Sequence, residues 1–363
     1  MTIKLLRLFF TLQKNILMTD IKLTQFSHSS GCGCKIAPEI LDQITSTFSK
    51  NKLFEKLIVG HESKDDAAVW DLGNDQALIS TVDFFMPIVN DAFDFGRIAA
   101  ANALSDVYAM GGNPIFANAI LGWPVDKIPV ELAAKVLEGA KNICEIANIP
   151  IAGGHSINSS EPIFGLAVNG QAKISSIKKN NSAQIEDFLF LTKPIGTGIM
   201  GTAIKRELAD ANDVKEAIES MCKLNKVGEA LGKIKGVSAM TDVSGFALLG
   251  HLIEMCEGSN VSAEIFANKI PVFNFIDTYL EQNCVPDNTY RNWNSYEKKV
   301  NGLTDLRNFQ LLNDPQTSGG LLIAVNEKSI AEVQNILVDF GLTDFIEPIG
   351  CIKDLHTFSV EIK

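Results

Sequence analysis

The chain has 363 residues, with 32 Lys and Arg against 43 Asp and Glu, a formal net charge of −11 and an apolar fraction of 46%. That length suits two domains of roughly 150–180 residues, each able to bury its own core, and the composition is that of an ordinary globular protein. The acidic balance excludes a nucleic-acid coat, whose footprint is a basic face. It also means that a polyanionic substrate needs metal ions or a local basic pocket.

Residues 1–17 carry Lys4, Arg7 and Lys14 and no acid. They lack the small-residue cleavage site of a secretory signal and are too short and too charged to span a bilayer. Met18 restarts the chain in plain polar sequence, so 1–17 reads as an upstream extension outside the fold. Residues 18–64 form an N-terminal segment with one helix predicted over 38–48, opened by Pro38 as a first-turn residue. Before that helix, Gly31-Cys32-Gly33-Cys34-Lys35 has no hydrophobic period and reads as a mobile loop. Apolar runs at 67–72 and 77–82 flank Gly73-Asn74-Asp75 as a hairpin. Helix spacing over 93–110 ends at Gly111-Gly112-Asn113-Pro114, and a strand follows at 115–121. An amphipathic helix spans 129–147, with Leu132, Val136, Leu137, Ala140 and Cys144 on its apolar side. The run 149–152 leads into Gly153-Gly154-His155-Ser156, and 164–172 is another strand. The polar stretch 175–187 lacks period and is taken as the linker, dividing 65–174 from 175–363. Beyond it, strands at 188–192, 237–240 and 321–325 alternate with helices near 213–233, 246–257 and 329–340, so both halves are α+β.

Five of the seven cysteines are scattered singly, and Cys144, Cys222 and Cys256 fall within helical patterns, where a buried free thiol is the ordinary outcome. An odd, scattered set is not a disulfide framework and suits a reducing cytoplasm. Cys32-x-Cys34 is the one pair. Two thiols so placed can hold a soft metal or act as a redox or nucleophilic pair, but a closed zinc site needs two further ligands that are lacking here. Lys35 beside them favours a thiolate, as a nucleophile or chalcogen-handling group on a flexible segment.

The carboxylates are placed unusually. Asp65 and Asp66 precede the run Ala67-Ala68-Val69, Asp83 closes the strand near 78–82, Asp242 closes that near 237–241, and Asp106 lies within a helix with Asn102 four residues earlier on the same face. Any one of these is ordinarily a cap or turn residue. Several attached to apolar elements point instead to a hard-metal site, where Mg²⁺ is shared between carboxylates and substrate phosphates. Gly196-Thr197-Gly198-Ile199-Met200-Gly201 matches G-x-G-x-x-G after a strand, but Lys193-Pro194 intervenes, and a plain strand–turn–helix connection is the better reading. Gly153-Gly154-His155-Ser156 reads equally as a tight turn or as backbone donors for a phosphate or ribose.

Together, Ser27 to Lys35, Asp65-Asp66-Ala67-Ala68-Val69, Thr81 to Pro87, Asn102 to Asp106, Gly153-Gly154-His155-Ser156, Thr241 to Phe246 and Asp314 to Gly320 resemble the selenophosphate synthetase (selenide, water dikinase) family. The resemblance runs in order from about Leu23 to the C-terminus. Its Asp-Asp-Ala-Ala element is shared with the wider aminoimidazole ribonucleotide synthetase-like superfamily, whereas the Gly-Cys-Gly-Cys-Lys loop is not. The resemblance implies a two-domain α+β fold, an N-terminal ATP-binding domain whose sheet pairs across a homodimer and a C-terminal α/β sandwich. It also implies conversion of ATP, selenide and water to selenophosphate, AMP and phosphate, with more than one Mg²⁺ and K⁺ stimulation, and a selenium-delivery protein as a partner. By motif it makes Cys32 and Lys35 catalytic, and puts Lys35, Ser63, Lys64, Asp65, Asp83, Asp106, Gly154, His155 and Ser156 at the nucleotide, the last three across the dimer. Asp66, Asp106 and Asp242 then hold the metal. Val82, Ala101, Ser244 and Ala247 stand where the family pattern suggests Thr, Thr, Thr and Gly, and Ala247 crowds the turn after Asp242. The competing readings are another ATP-dependent member of the superfamily acting on a small metabolite, a chalcogen or metal carrier using Cys32 and Cys34, and a Rossmann oxidoreductase. The aspartate set would have no task in a pure carrier.

Overall fold

The structure, a computed structural model, describes residues 21–36, 38–45, 54–61 and 64–363. The extension at 1–17, the end of the helix predicted over 38–48, and Ser63 lie outside the described residues.

The first sheet has six strands, β1 Leu57–Val59, β2 Ala68–Gly73, β3 Gln76–Phe85, β4 Asn113–Trp123, β5 Ile151–Asn158 and β6 Ile163–Lys173, in the order β1-β2-β3-β6-β4-β5. The predicted hairpin is β2–β3, antiparallel. Its turn places Asn74 and Asp75 at φ of 55° and 60°, the left-handed region that a tight two-residue hairpin demands and that Asn and Asp tolerate. Helices α2 Ala92–Ala109 and α3 Val130–Ile146 belong to the same half, whereas the N-terminal helix α1 Pro38–Thr45 packs against the helix Asp287–Tyr296 of the other. Asp91 caps α2, its carboxylate accepting from the Asp94 amide at 2.9 Å. Its alanine-rich course leaves α2 buried on nearly every side, the signature of a central helix. It packs against α3 through glycines. A Cβ on Gly96 would strike the Val136 backbone and one on Gly139 the Phe93 backbone, so the two helices cross main chain to main chain.

The second sheet has seven strands, β7 Phe188–Leu191, β8 Val237–Asp242, β9 Ser262–Ile265, β10 Val300–Asn301, β11 Leu321–Val325, β12 Gly350–Lys353 and β13 Val360–Ile362, in the order β10-β13-β9-β12-β7-β11-β8. Every residue of β11 is buried, as its unbroken apolar run requires for a strand covered on both faces. The accompanying helices are α4 Thr197–Lys205, α5 Ala211–Cys222, α6 Val227–Gly232, α7 Ala247–Ser259, α8 Ile276–Glu281, α9 Asp287–Tyr296, α10 Leu306–Leu312 and α11 Ile330–Asp339. One core of buried residues runs from Leu23 through α2 to Ile362, so the two sheets are held in one body. Both halves are α+β, as read from the sequence. Cys144, Cys222 and Cys256 are buried free thiols. Among the described residues no helix is long and apolar enough to cross a membrane.

One local reading changes, one is refined and one holds. Gly153-Gly154-His155-Ser156 is not a turn but the middle of β5, paired parallel to β4 and exposed along nearly its whole length. Two glycines hide a strand from propensity, yet here Gly154 lies so close to β4 that a Cβ would meet the Ala119 backbone. The Cys32–Cys34 segment, read as a loop, is a short 3₁₀ turn with Cys32 wholly buried. In the Gly196–Gly201 stretch the amides of Gly196 and Thr197 donate to Gln316 Oε1, and that of Gly198 donates to Asp314 Oδ2. The donors a phosphate would need are thus already used, and the plain strand–turn–helix reading holds.

The crowding expected at Ala247 is visible in the backbone, whose φ of 65° is unfavourable for an L-residue with a Cβ. Ala247→Gly is expected to stabilise the fold by about 1 kcal/mol, read as a higher urea midpoint at unchanged slope. An unchanged or lower midpoint would contradict strain at this turn.

Candidate active site

Five aspartates far apart in sequence line one cavity of about 330 Å³, together with Lys35, Lys64, Thr81, Ser244, Phe246 and His251. Asp65 and Asp66 enter β2, Asp83 sits near the end of β3, Asp106 near the end of α2, and Asp242 at the end of β8. Antiparallel pairing of β8 with β11 sets Asp242 opposite Leu321. Packing of β8 against α2 brings this strand end of the second sheet to the helix that lies on the first.

Carboxylate oxygens of Asp66, Asp106 and Asp242 lie within 4.8 Å of one another. Two of the three have a hydroxyl donor. Thr241 Oγ1 donates to Asp66 Oδ1 at 2.8 Å, and Thr81 Oγ1 to Asp106 Oδ2 at 2.5 Å. These do not suffice. Oδ2 of Asp66 and Oδ2 of Asp242 are buried without a hydrogen-bond partner, and buried carboxylate oxygens are ordinarily paired. Burial first, then the mutual repulsion of the set, pushes Asp66 and Asp106 well above the usual carboxylate range, and burial raises Asp242. A hard cation satisfies this arrangement, because the three carboxylates offer only oxygens and offer them close together.

Beside the carboxylates stands the Cys32–Lys35 segment. Gly31 has φ of 51°, pairs with Met86 in an isolated bridge, and leaves no room for a Cβ against Thr317 and Ile88. Its position turns Cys32 inward. The Cys32 amide donates to Thr317 Oγ1 at 3.0 Å and its thiol to Asn102 Oδ1 at 3.4 Å. Asn102 is a hub, for its Oδ1 also accepts from the Ser318 amide at 2.7 Å and its Nδ2 donates to Asp83 Oδ2. Lys35 Nζ donates to Ser244 Oγ at 3.3 Å, approaches Asp83 Oδ2 at 4.0 Å and lies over the Phe246 ring. Burial alone would lower the Lys35 pKa, but Asp83, the Cys32 sulfur, Asp106 and Asp242 together raise it, so the ammonium stays charged. Lys35 does favour a Cys32 thiolate, as the sequence suggests. Burial and Asp83 outweigh it and push the thiol well up.

Several participants carry no sequence signal of their own. Thr81, Thr241 and Thr317 are hydroxyls in apolar or turn contexts. His251 sits one turn into α7, where its Nε2 accepts from the Ser244 amide at 3.1 Å. Burial, then Lys35, pushes its pKa down to about 3, so the ring stays neutral and orients the Ser244 turn. Lys64 and Asp65 lie at the cavity rim, where Asp65 Oδ1 accepts from the Asn180 amide at 2.7 Å. Gly154, His155 and Ser156 are not in this cavity. They line another, of about 700 Å³, between β5 and α3.

Residues 64–172 match the family described as AIR synthase related protein, N-terminal domain, and 184–363 that described as AIR synthase related protein, C-terminal domain. The chain is 51% identical over 336 residues to the selenide, water dikinase of Aeromonas hydrophila, covering 93% of this chain and 96% of the relative. It is 52% identical over 330 residues to that of Yersinia pseudotuberculosis, covering 91% and 94%. Among solved structures, the thiamine monophosphate kinase of Aquifex aeolicus superposes with a TM-score of 0.63 at 16% identity, covering 90% of this chain and 96% of that one. The hydrogenase maturation protein HypE in complex with ATP superposes at 0.59 and 15%, covering 88% of each. At such identities the two structures speak to the fold alone.

The carboxylate cluster has a pH consequence with a definite sign. Folded-state values above the unfolded ones mean that the folded chain holds more protons, so metal-free protein loses stability as pH rises through the folded-state range. Mg²⁺ is expected to reverse this loss, adding about 2.7 kcal/mol at a hundredfold excess over its Kd. Asp242→Asn is expected to flatten the pH dependence and to abolish the Mg²⁺ shift. Thermal melts from pH 5 to 9 with and without Mg²⁺ check both, and an undiminished Mg²⁺ shift in the variant would count against the cluster as the metal site.

Proposed function

Since the chain belongs to the selenide, water dikinase family, we propose that it makes selenophosphate from ATP, selenide and water, releasing AMP and phosphate. The observation that carries this reading is the seating of Cys32 and Lys35 against the five-aspartate cavity. A small-metabolite kinase needs the carboxylates but has no use for a buried thiol joined through Asn102 to one of them.

In the proposed reaction the bond between the β- and γ-phosphates breaks, a selenium–phosphorus bond forms, and water later cleaves the remaining ADP to AMP and phosphate. Phosphoryl transfer is mostly a matter of positioning and charge neutralisation. Asp66, Asp106 and Asp242 would hold Mg²⁺, which when bound neutralises phosphate charge. Lys35 carries the fixed positive charge on the Cys32 side, anchored by Ser244. Asn102 orients Cys32 and Asp83 at once, keeping the thiol directed at the place where Asp83 and Lys35 meet. Lys64 and Asp65 at the rim, together with Ser63, are assigned to the nucleotide. The Cys32–Cys34 turn, whose neighbour Lys35 lines the cavity, would serve as a lid that delays ADP hydrolysis until selenide has reacted.

The dimer reading finds its support in the first sheet. The face of β2 and β3 away from α2 exposes Trp70, Leu72, Val82 and Phe84, and β5 presents an open edge with Ile157 exposed. Uncovered apolar sheet surface of this kind is ordinarily an interface. A second copy there would bring Gly154, His155 and Ser156 to the neighbouring site. The scattered free thiols suit the cytoplasm.

Anaerobic ³¹P NMR with Mg-ATP tests the reaction. A selenium-bonded phosphate signal growing with AMP and phosphate only when selenide is present is the expected result; intact ATP in a folded, nucleotide-binding sample would sink it. Cys32→Ser should abolish selenide-dependent AMP release, a loss of at least about a hundredfold, while nucleotide affinity by calorimetry holds. Equal loss of both would contradict the division of labour between thiol and carboxylates.

A further inference from the structure

A second cavity, of about 460 Å³, lies on the other side of the Cys32–Cys34 turn. The two cavities share a wall. Lys35 lines the aspartate cavity, Gly33 and Cys34 line the second one, and Cys32 is wholly buried between them. Their electrostatics are opposite. Among the described residues, six acidic side chains and two lysines line the first cavity, whereas Lys205, Arg206 and Arg291 line the second against the single acid Asp287.

That contrast matters for the smaller substrate. Hydroselenide is a monoanion at neutral pH. Approach through the first cavity would take it past six carboxylates and past bound nucleotide, itself a polyanion, and like charge there slows association. On the rear side the basic groups are held in place by the fold. Lys205 Nζ donates to the Ser27 carbonyl at 2.6 Å and Arg206 Nη1 to that of Asn283 at 2.8 Å. Arg291 projects from α9, and that helix is tied to the active-site turn, for Asn288 and Asn292 both donate to the Gly245 carbonyl, at 3.3 and 3.1 Å. Gly245 in turn abuts the Cys32 carbonyl so closely that a Cβ would meet it at 2.7 Å.

We propose that this rear cavity is the route and holding site for the free hydroselenide anion, which reaches Cys32 from the side opposite the nucleotide. Cys34, half-buried in the cavity wall, is then a lining thiol of that route and not the catalytic one. The inference rests on the reading that selenide is the substrate. It adds that the two substrates enter by separate doors, so that selenide can be replenished while nucleotide is bound.

Steady-state selenophosphate formation under anaerobic conditions, with free selenide as the probe, tests this in three proteins. Arg291 is exposed, so Arg291→Glu is expected to fold normally, confirmed by an unchanged melting curve. At low ionic strength it should raise the KM for selenide about tenfold and leave that for ATP where it is. Lys215→Glu makes the same change in net charge on the exposed face of α5 and should move neither. Added salt should raise the selenide KM of the wild type more steeply than that of Arg291→Glu. An unchanged selenide KM in Arg291→Glu, an equal rise for ATP, or an equal rise in Lys215→Glu would each overturn the rear route while leaving the reaction intact. A wild-type protein that binds nucleotide but makes no selenophosphate would instead overturn the reading beneath it.

Discussion

Three carboxylates with oxygens within 4.8 Å of one another are the constraint around which this molecule is arranged. A pair of full charges at that range repels by about 3 kcal/mol at an effective dielectric constant of about 20, and burial adds to the cost. Such a cluster survives only on supports that do not give way. Asp106 rides on α2, which cannot shift because glycines lock it main chain to main chain against α3. Asp242 ends a strand paired with the wholly buried β11. Thr81 and Thr241 each lend one hydroxyl, enough to orient a carboxylate and too little to neutralise it. The residual deficit is what a cation and a phosphate chain would remove.

The thiol side of the site is built on the reverse principle. Cys32 is held by neutral donors and acceptors, Thr317 and Asn102, and its thiol is kept protonated by burial and by Asp83. Lys35 supplies a cation that both halves share. Coupling runs through Asn102, which touches Cys32, Asp83 and the Ser318 amide. A change in the charge around Asp83 is therefore transmitted to the thiol through a single side chain. The reaction proposed above fits this layout, in which an acidic chamber and a more basic one meet at a two-cysteine turn.

Much of this was legible in the sequence, for physical reasons that differ from residue to residue. Period 2 and period 3.6 placed the β2–β3 hairpin, α2, α3 and β11 because each buries one face or all of itself, and burial writes itself into side-chain type. The aspartates drew attention because a charge at the end of an apolar strand is costly unless something compensates it, and the linear motifs tied them to Cys32 and Lys35. Short pieces such as β10 and β13, two and three residues long, carry too few residues for any period, and β5 was concealed by its paired glycines.

By itself, then, the sequence determined most of the element types and the acidic character of the residues that line the main cavity, since these depend on local pattern and on residue chemistry. Tertiary structure alone decided which of those residues meet. Residues 66, 106 and 242 converge only because a helix of one half packs beside a strand of the other, and convergence of that kind leaves no trace in spacing. Tertiary packing also set the protonation of Cys32. A neighbouring lysine is visible in sequence, but the burial and the facing Asp83 that overrule it are not. The basic rear cavity arises in the same way, from Lys205, Arg206 and Arg291 on elements that only the folded chain brings behind one turn.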